Sequence, residues 1–416
     1  MHRPLTPHAA FITLGLVALC APLSHARWTA HEKELIADAY IYLLGRALVV
    51  RQEHIDLKEP GITYNVIKYN PLGAAEFVNP NLDVAYLEAW IAVDDQTPVL
   101  LEVPRIEGRY YTAQILDEWG EVITNINERN YPSQPFGKYA FVAPGSQVRL
   151  PEDAVRIELH SRKAKLLGRV ELQNDSSGAV ALQKQFKLIV QGNPRITPPA
   201  RIPEIAATDL VGVEIFDVAE DLIVSASDVS PVAGVMQAKI RQVSRLIEDP
   251  DRRRAVDQLL KTEVIPEFLS YAVTRSGLYG NHWLGTLGTG NYGSDYKRRT
   301  SANLVGIWAN TNDEVIYFVG TRDSEGNPLN GSHDYLIEFS PEARPERVVD
   351  GYWSLILVDV PDYRVVPNKL NRFNFNNYSP LTDEPDGSLR ILLSKHPGRR
   401  FPKRTGCQLR TGRGSR

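Results

Sequence analysis

Two alternating stretches place aromatic and hydrogen-bonding side chains where they can meet a ligand. In residues 84–93, Tyr86, Glu88 and Trp90 share one side of a strand, opposite Ala85, Leu87, Ala89, Ile91 and Val93. In residues 110–117, Tyr110, Thr112 and Gln114 lie opposite Tyr111, Ala113 and Ile115. If the two strands are neighbours, they form an aromatic, polar surface suited to a sugar, an aromatic or another small polar organic molecule. Such faces are more often covered or simply wetted. A second chemistry is open to the carboxylates. Glu88, Asp83 or Asp117 would act as acid or base in a hydrolase or lyase, with Arg109 or Arg372 stabilising the electrophile. Arg109 and Asp117 are eight residues apart, about 26 Å along an extended strand. They serve one small ligand only if the strand bends. The candidate ligand-binding set is therefore Tyr86, Glu88, Trp90, Arg109, Tyr110, Gln114, Asp117 and Arg372, with no residue assigned to catalysis.

Other motifs weigh little. Gly288-Thr289-Gly290-Asn291-Tyr292-Gly293 spells the dinucleotide fingerprint, but no strand precedes it and no βαβ pattern surrounds it, so a tight or flexible loop is expected. Ser294-Asp295-Tyr296-Lys297 matches a serine–x–x–lysine pattern without its companion Lys-Thr-Gly. Ser332-His333-Asp334 are sequence neighbours that point to opposite faces of a strand, so a hairpin edge is expected rather than a triad. His31, His54, His160, His282, His333 and His396 are scattered, with no two at helical ligand spacing. The run Asn79-Pro80-Asn81-Leu82-Asp83 lacks the spaced carboxylates of a calcium loop and reads as a turn held by its own side chains. Neither a metal nor a cofactor is expected.

These side chains need elements to position them. Thr29 and Glu32 make a capping box, followed by Leu35, Ile36, Ala39, Tyr40, Leu43, Leu44, Ala47 and Leu48 at helical spacing. Strand texture follows to residue 195, punctuated by Pro and Gly turns. A proline-rich boundary at 196–207 opens a helical segment running to about Val273, with the apolar stripe Val256, Leu259, Leu260, Val264 and Phe268. A glycine-aromatic stretch, 277–293, and a short helix, 294–308, lead to strands at 314–321, 333–339, 351–359 and 388–394. The expected class is α+β and β-rich, with antiparallel, jelly-roll-like β-sandwich elements and a helical connecting segment. The expected division is 1–26, 27–195, 196–293, 294–396 and 397–416.

The ends differ from the body. Residues 1–26 read as a signal peptide: Arg3, an apolar run from Phe11 to Ala21, and Ser24-His25-Ala26, with cleavage expected after Ala26. This predicts a periplasmic or secreted protein. The chain holds 47 basic and 50 acidic residues. One basic residue falls in the signal and seven in 397–416, with no acid in either, which leaves 39 against 50, or −11, for residues 27–396. An acidic body argues against nucleic acid as a partner. No segment reaches transmembrane length. Cys20 and Cys407 both lie outside the body, so it holds no disulfide, thiol nucleophile or cysteine metal site. A small-molecule ligand is the expected partner, and a homo-oligomer stays open.

Asn81-Leu82-Asp83 before Tyr86 and Trp90, Val103-Pro104, and Gly108-Arg109-Tyr110-Tyr111 with Gln114 and Asp117 resemble the family called domain of unknown function 1254. Gly326, Leu329-Asn330-Gly331, Tyr335, Trp353-Ser354-Leu355, Val366-Pro367-Asn368, Asn371-Arg372 and Asp386-Gly387-Ser388 resemble its usual partner, domain of unknown function 1214. The resemblance implies an exported bacterial protein with β-rich halves and no established activity. The partner family usually closes on a final strand, whereas 397–416 turn to Gly, Arg and Thr. That tail is read as a frameshifted or truncated end. Its alternative is an authentic basic tail for an anionic envelope surface.

Overall fold

Thr29 opens the first helix as expected: its hydroxyl accepts the Glu32 N–H, and the Glu32 carboxylate accepts the Thr29 N–H in return. The structure, a computed structural model, describes residues 28–72, 81–206, 209–360, 364–368, 372–394 and 408–409. The signal segment, Asn79, Pro80, His396, Cys407 and the basic tail apart from Gln408 and Leu409 lie outside the described residues.

Helix α1 (Ala30–Asp56) is followed by β1 (Lys68–Tyr69), β2 (Val84–Ala92), β3 (Val99–Val103), β4 (Tyr111–Leu116), β5 (Val122–Ile126), β6 (Gly137–Val142), β7 (Ala154–Glu158), β8 (Lys163–Glu171), α2 (Ser176–Gln183) and β9 (Lys187–Val190). These strands form two sheets, ordered β1-β2-β8-β4-β5 and β7-β6-β3-β9. Their facing sides enclose Ala85, Leu87, Ala89 and Ile91 of β2, Ala113 and Ile115 of β4, and Leu101, Tyr139 and Phe141 of the second sheet. Burying a Leu, Ile or Phe of this core contributes about 1.5–3 kcal/mol. The alternation in 84–93 and 110–117 thus fixes which face of each strand is polar.

Strands β2 and β4 are not neighbours. β8 lies antiparallel between them, with Tyr86 and Thr112 both opposite Arg169, Glu88 and Gln114 opposite Leu167, and Trp90 and Leu116 opposite Lys165. The polar face is a three-strand surface, and its middle row comes from β8.

Four further helices, α3 (Ala219–Ser225), α4 (Ala233–Leu246), α5 (Pro250–Leu259) and α6 (Ile265–Thr274), pack around α1. The stripe Val256, Leu259, Leu260, Val264 and Phe268 is buried there. Strands β10 (Leu278–Gly280) and β11 (Trp283–Gly285) precede helix α7 (Tyr296–Val305), which lies along α1. β12 (Phe318–Gly320) joins β10 and β11. The last region holds β13 (Tyr335–Phe339), β14 (Ser354–Ile356), β15 (Asn374–Asn376), β16 (Leu389–Leu393) and β17 (Gln408–Leu409) around a small core of Trp353, Phe375, Leu389 and Ile391. The class is α+β with several antiparallel sheets, and β6·β7 and β16·β17 are parallel pairs. Among the described residues no helix is long and apolar enough to cross a membrane.

Candidate functional site

One half of the polar face is sealed. The C-terminal turn of α1 lies over it, so Lys165 Nζ donates to Asp56 Oδ2 and Glu88 Oε2, each at 2.7 Å. Trp90 Nε1 donates to the same Asp56 oxygen at 2.8 Å, and the Lys165 ammonium sits over the rings of Trp90 and Trp308. Burial works against both charges, yet Glu88 and Asp56 hold the Lys165 pKa up and Lys165 holds that of Glu88 down. The space left between Trp90, Lys165 and Lys68 is about 10 Å³, enough for one water. Glu88 and Trp90 are thereby committed to packing and ion pairing.

Gln114 anchors the cover. Its amide nitrogen donates to Trp308 O at 3.4 Å and Ala309 O at 2.9 Å. Ile307 and Trp308 are consecutive residues with φ of 35° and 54°. This left-handed backbone costs about 1–3 kcal/mol per residue for side chains of this kind. The Gln114 bonds and the edge-to-face contact of Trp308 with Trp90 offset it.

The other end of the face is reachable. Arg169, 7% exposed, lies over the Tyr86 ring, and its Nη1 donates to Gln114 Oε1 at 2.8 Å. Tyr110 packs edge-to-face with Tyr352 of the C-terminal region, ring centres 5.9 Å apart. Tyr317, just before β12, is 40% exposed, and the Tyr86, Tyr317 and Tyr110 hydroxyls are all close enough to act on the Arg169 charge. Burial raises the pKa of Tyr110, Tyr317 and Tyr352, so their hydroxyls are neutral donors at physiological pH. Glu314 is the carboxylate at this end. Arg129 Nη2 donates to both of its oxygens at 2.7 Å, and Tyr110 and Asn127 donate to it as well. What results is a cluster of tyrosines around a buried guanidinium.

The remaining candidates go elsewhere. Arg109 grips the chain after β8 through Glu171 O and Asp175 Oδ2. Asp117, at the opposite end of β4, accepts the Trp119 and Glu121 N–H groups on Oδ1 and meets His160 Nδ1 at 2.8 Å through Oδ2. The strand does not bend to unite them. Asp83 Oδ1 accepts from Asn374 and Asn376 Nδ2, both at 2.6 Å, tying the two β regions together. Asn81 Oδ1 accepts the Asp83 N–H, as the turn reading requires. Arg372 lies over the Phe375 ring and shares backbone bonds with the Asn368 side chain. Residues 288–293 form a turn with Gly288, Gly290 and Gly293 at positive φ. No group of three or more His, Cys, Asp or Glu among the described residues is placed to hold a metal.

Sequence reasoning missed Arg169, Lys165 and His160. The first two had a signal: Lys163, Lys165, Leu167, Arg169 and Glu171 alternate with Ala164, Leu166, Gly168 and Val170 as regularly as either strand singled out. His160 sits in the turn before β8 and had none.

Residues 64–189 match the family described as "Protein of unknown function (DUF1254)", and residues 314–405 the one described as "Protein of unknown function (DUF1214)". The second match runs past residue 397, where the composition changes. No curated protein matches. Among solved structures, the VPA0106 protein from Vibrio parahaemolyticus is 18% identical with a TM-score of 0.62, covering 90% of this chain and 91% of its own. An uncharacterised protein from Burkholderia cenocepacia is 10% identical with a TM-score of 0.40, covering 93% of this chain and 84% of its own. The first of these likenesses shows a shared fold. The chain carries both domains of unknown function, in the order that the sequence resemblance implied.

Proposed function

We propose that this chain is an exported binding protein for a small polar organic or carbohydrate ligand, taken at the Tyr86–Tyr110–Tyr317–Tyr352 end of the polar face. The observation that carries this reading is the contrast along one sheet face. The Trp90 end leaves room for about one water, whereas at the other end Tyr317 is exposed and Tyr86, Tyr110 and Tyr352 are half-buried around Arg169. Tyrosine suits that task because it combines a rigid apolar ring with a polar tip. A thermal-shift screen of sugars and aromatic metabolites on the protein starting at Arg27 tests it. Hits should weaken at least about tenfold in Tyr86→Ala and Tyr110→Ala. Unchanged affinity in both variants rules this face out. Export is tested separately, by N-terminal sequencing of protein recovered from the periplasm or medium, which should begin at Arg27.

A hydrolase or lyase is the second reading, favoured by one observation. Asp117 is fully buried and meets the partly exposed His160 ring, an arrangement able to hold and release a proton. Substrate turnover abolished in both Asp117→Asn and His160→Gln would move the function to that pair.

A further inference from the structure

Resting on the proposal of a ligand at the tyrosine cluster, we infer that the ligand carries a carboxylate and that Arg169 is the residue that receives it. A guanidinium stays charged at every accessible pH, and a buried charge is costly without an opposite partner. Other buried cations of this chain meet that requirement. Arg46 pairs with Glu118, Lys163 with Glu53, Lys165 with Glu88 and Asp56, and Arg299 with Asp228. Arg169 is 7% exposed and has no carboxylate within ion-pair distance among the described residues. Glu314, the acid at this end of the face, is occupied on both oxygens by Arg129.

The geometry narrows the ligand. Arg169 Nη1 is committed to Gln114 Oε1. Among the described residues the guanidinium makes no bond to a carboxylate or backbone carbonyl oxygen, and its other hydrogen-bond partner is the Tyr86 hydroxyl. The Tyr317 and Tyr110 hydroxyls also lie near enough to act on its charge. A guanidinium edge presents two parallel N–H groups, the spacing that a planar carboxylate accepts side-on, and the Tyr86 hydroxyl beside it can donate to the same ligand. One uncompensated positive charge matches a monoanion. A phosphate monoester, carrying nearly two negative charges at neutral pH, would leave an excess beside Glu314. The carboxylate is held at Arg169 while the body of the ligand lies among the rings of Tyr86, Tyr110, Tyr317 and Tyr352.

Matched acid and amide probes test this by thermal shift and calorimetry on the whole chain, at ionic strength held constant with chloride. The pairs are acetate with acetamide and benzoate with benzamide. Benzoate should bind more tightly than acetate, because its ring reaches the tyrosines. Each acid should bind at least about tenfold more tightly than its amide, the scale of a charge-assisted hydrogen bond. Arg169→Gln should abolish that preference while leaving the urea midpoint of the free protein unchanged or higher, since it removes a charge that has no partner. Arg169→Lys should retain some preference for the acids without the side-on fork. If benzoate and benzamide bind equally, the tyrosine site stands and the carboxylate assignment falls. If neither binds, both fall. An acid preference that survives in a folded Arg169→Gln protein overturns the role of Arg169.

Discussion

The His160 imidazole and the Asp117 carboxylate meet at 2.8 Å with unequal access to water: Asp117 is fully buried and His160 is about one-quarter exposed. The hydrogen bond to Asp117 raises the His160 pKa above 6.5, outweighing burial, which lowers it. A group with a raised folded pKa contributes stability that is complete below its unfolded value and is lost as pH rises through the folded one. Proton NMR of His160 should therefore give a midpoint above 6.5, and Asp117→Asn should bring it down. Equal midpoints in the two proteins would remove Asp117 as the cause.

Glu118 offers a second titration of the same sign. Burial pushes its carboxyl up to about 7 against the opposing charges of Arg46 and Lys163, and its Oε2 has no partner. The protonated form stabilises the fold below pH 4.5, and that contribution disappears as pH rises through 7. Urea midpoints should decline between pH 5 and 7.5, and the decline should flatten in Glu118→Gln while persisting in His160→Gln. An identical slope in Glu118→Gln and the parent would exclude Glu118.

Lys165 holds two acids under the α1 helix. Lys165→Met leaves Asp56 and Glu88 facing each other without their cation, a loss of about 3–5 kcal/mol for breaking a buried pair. Adding Glu88→Gln should restore part of the urea midpoint. A single Lys165→Met variant as stable as the parent would show that water enters this end of the face after all.

Asp83 connects the two β regions through a single oxygen that accepts from two asparagines. In Asp83→Ala, both amides lose their acceptor, at about 1–3 kcal/mol for each one that stays buried. Limited proteolysis should then cut after residue 310 at lower protease concentration than in the parent. Unchanged cleavage would mean that the small core around Phe375 holds the region without this link.

Much of this architecture was readable in local pattern. The Thr29 box, the apolar stripe of α1 and the inward faces of β2 and β4 follow from periodicity, because each is decided by residues only a few positions apart. The polar face was identified on two strands, but its order depends on a partner from 163–171 that no short window specifies. Arg169 was visible as part of an alternation, yet its importance lies in a missing counter-charge, which is a property of three dimensions. The cover was hidden for a related reason. Ile307 and Trp308 adopt positive φ against their own preference, held there by Gln114 from a strand nearly two hundred positions earlier.

The placement of β8 between β2 and β4 has a consequence for biosynthesis. On a ribosome adding about 5–20 residues per second, β2 and β4 emerge well before the strand that joins them. Each then waits with one edge unpaired, and such edges invite pairing with other chains. A nascent chain stopped before Lys163 lacks the middle of its main sheet. It also lacks Lys165 and Arg169, so the central row of the polar face arrives with the strand that joins the two halves of the main sheet.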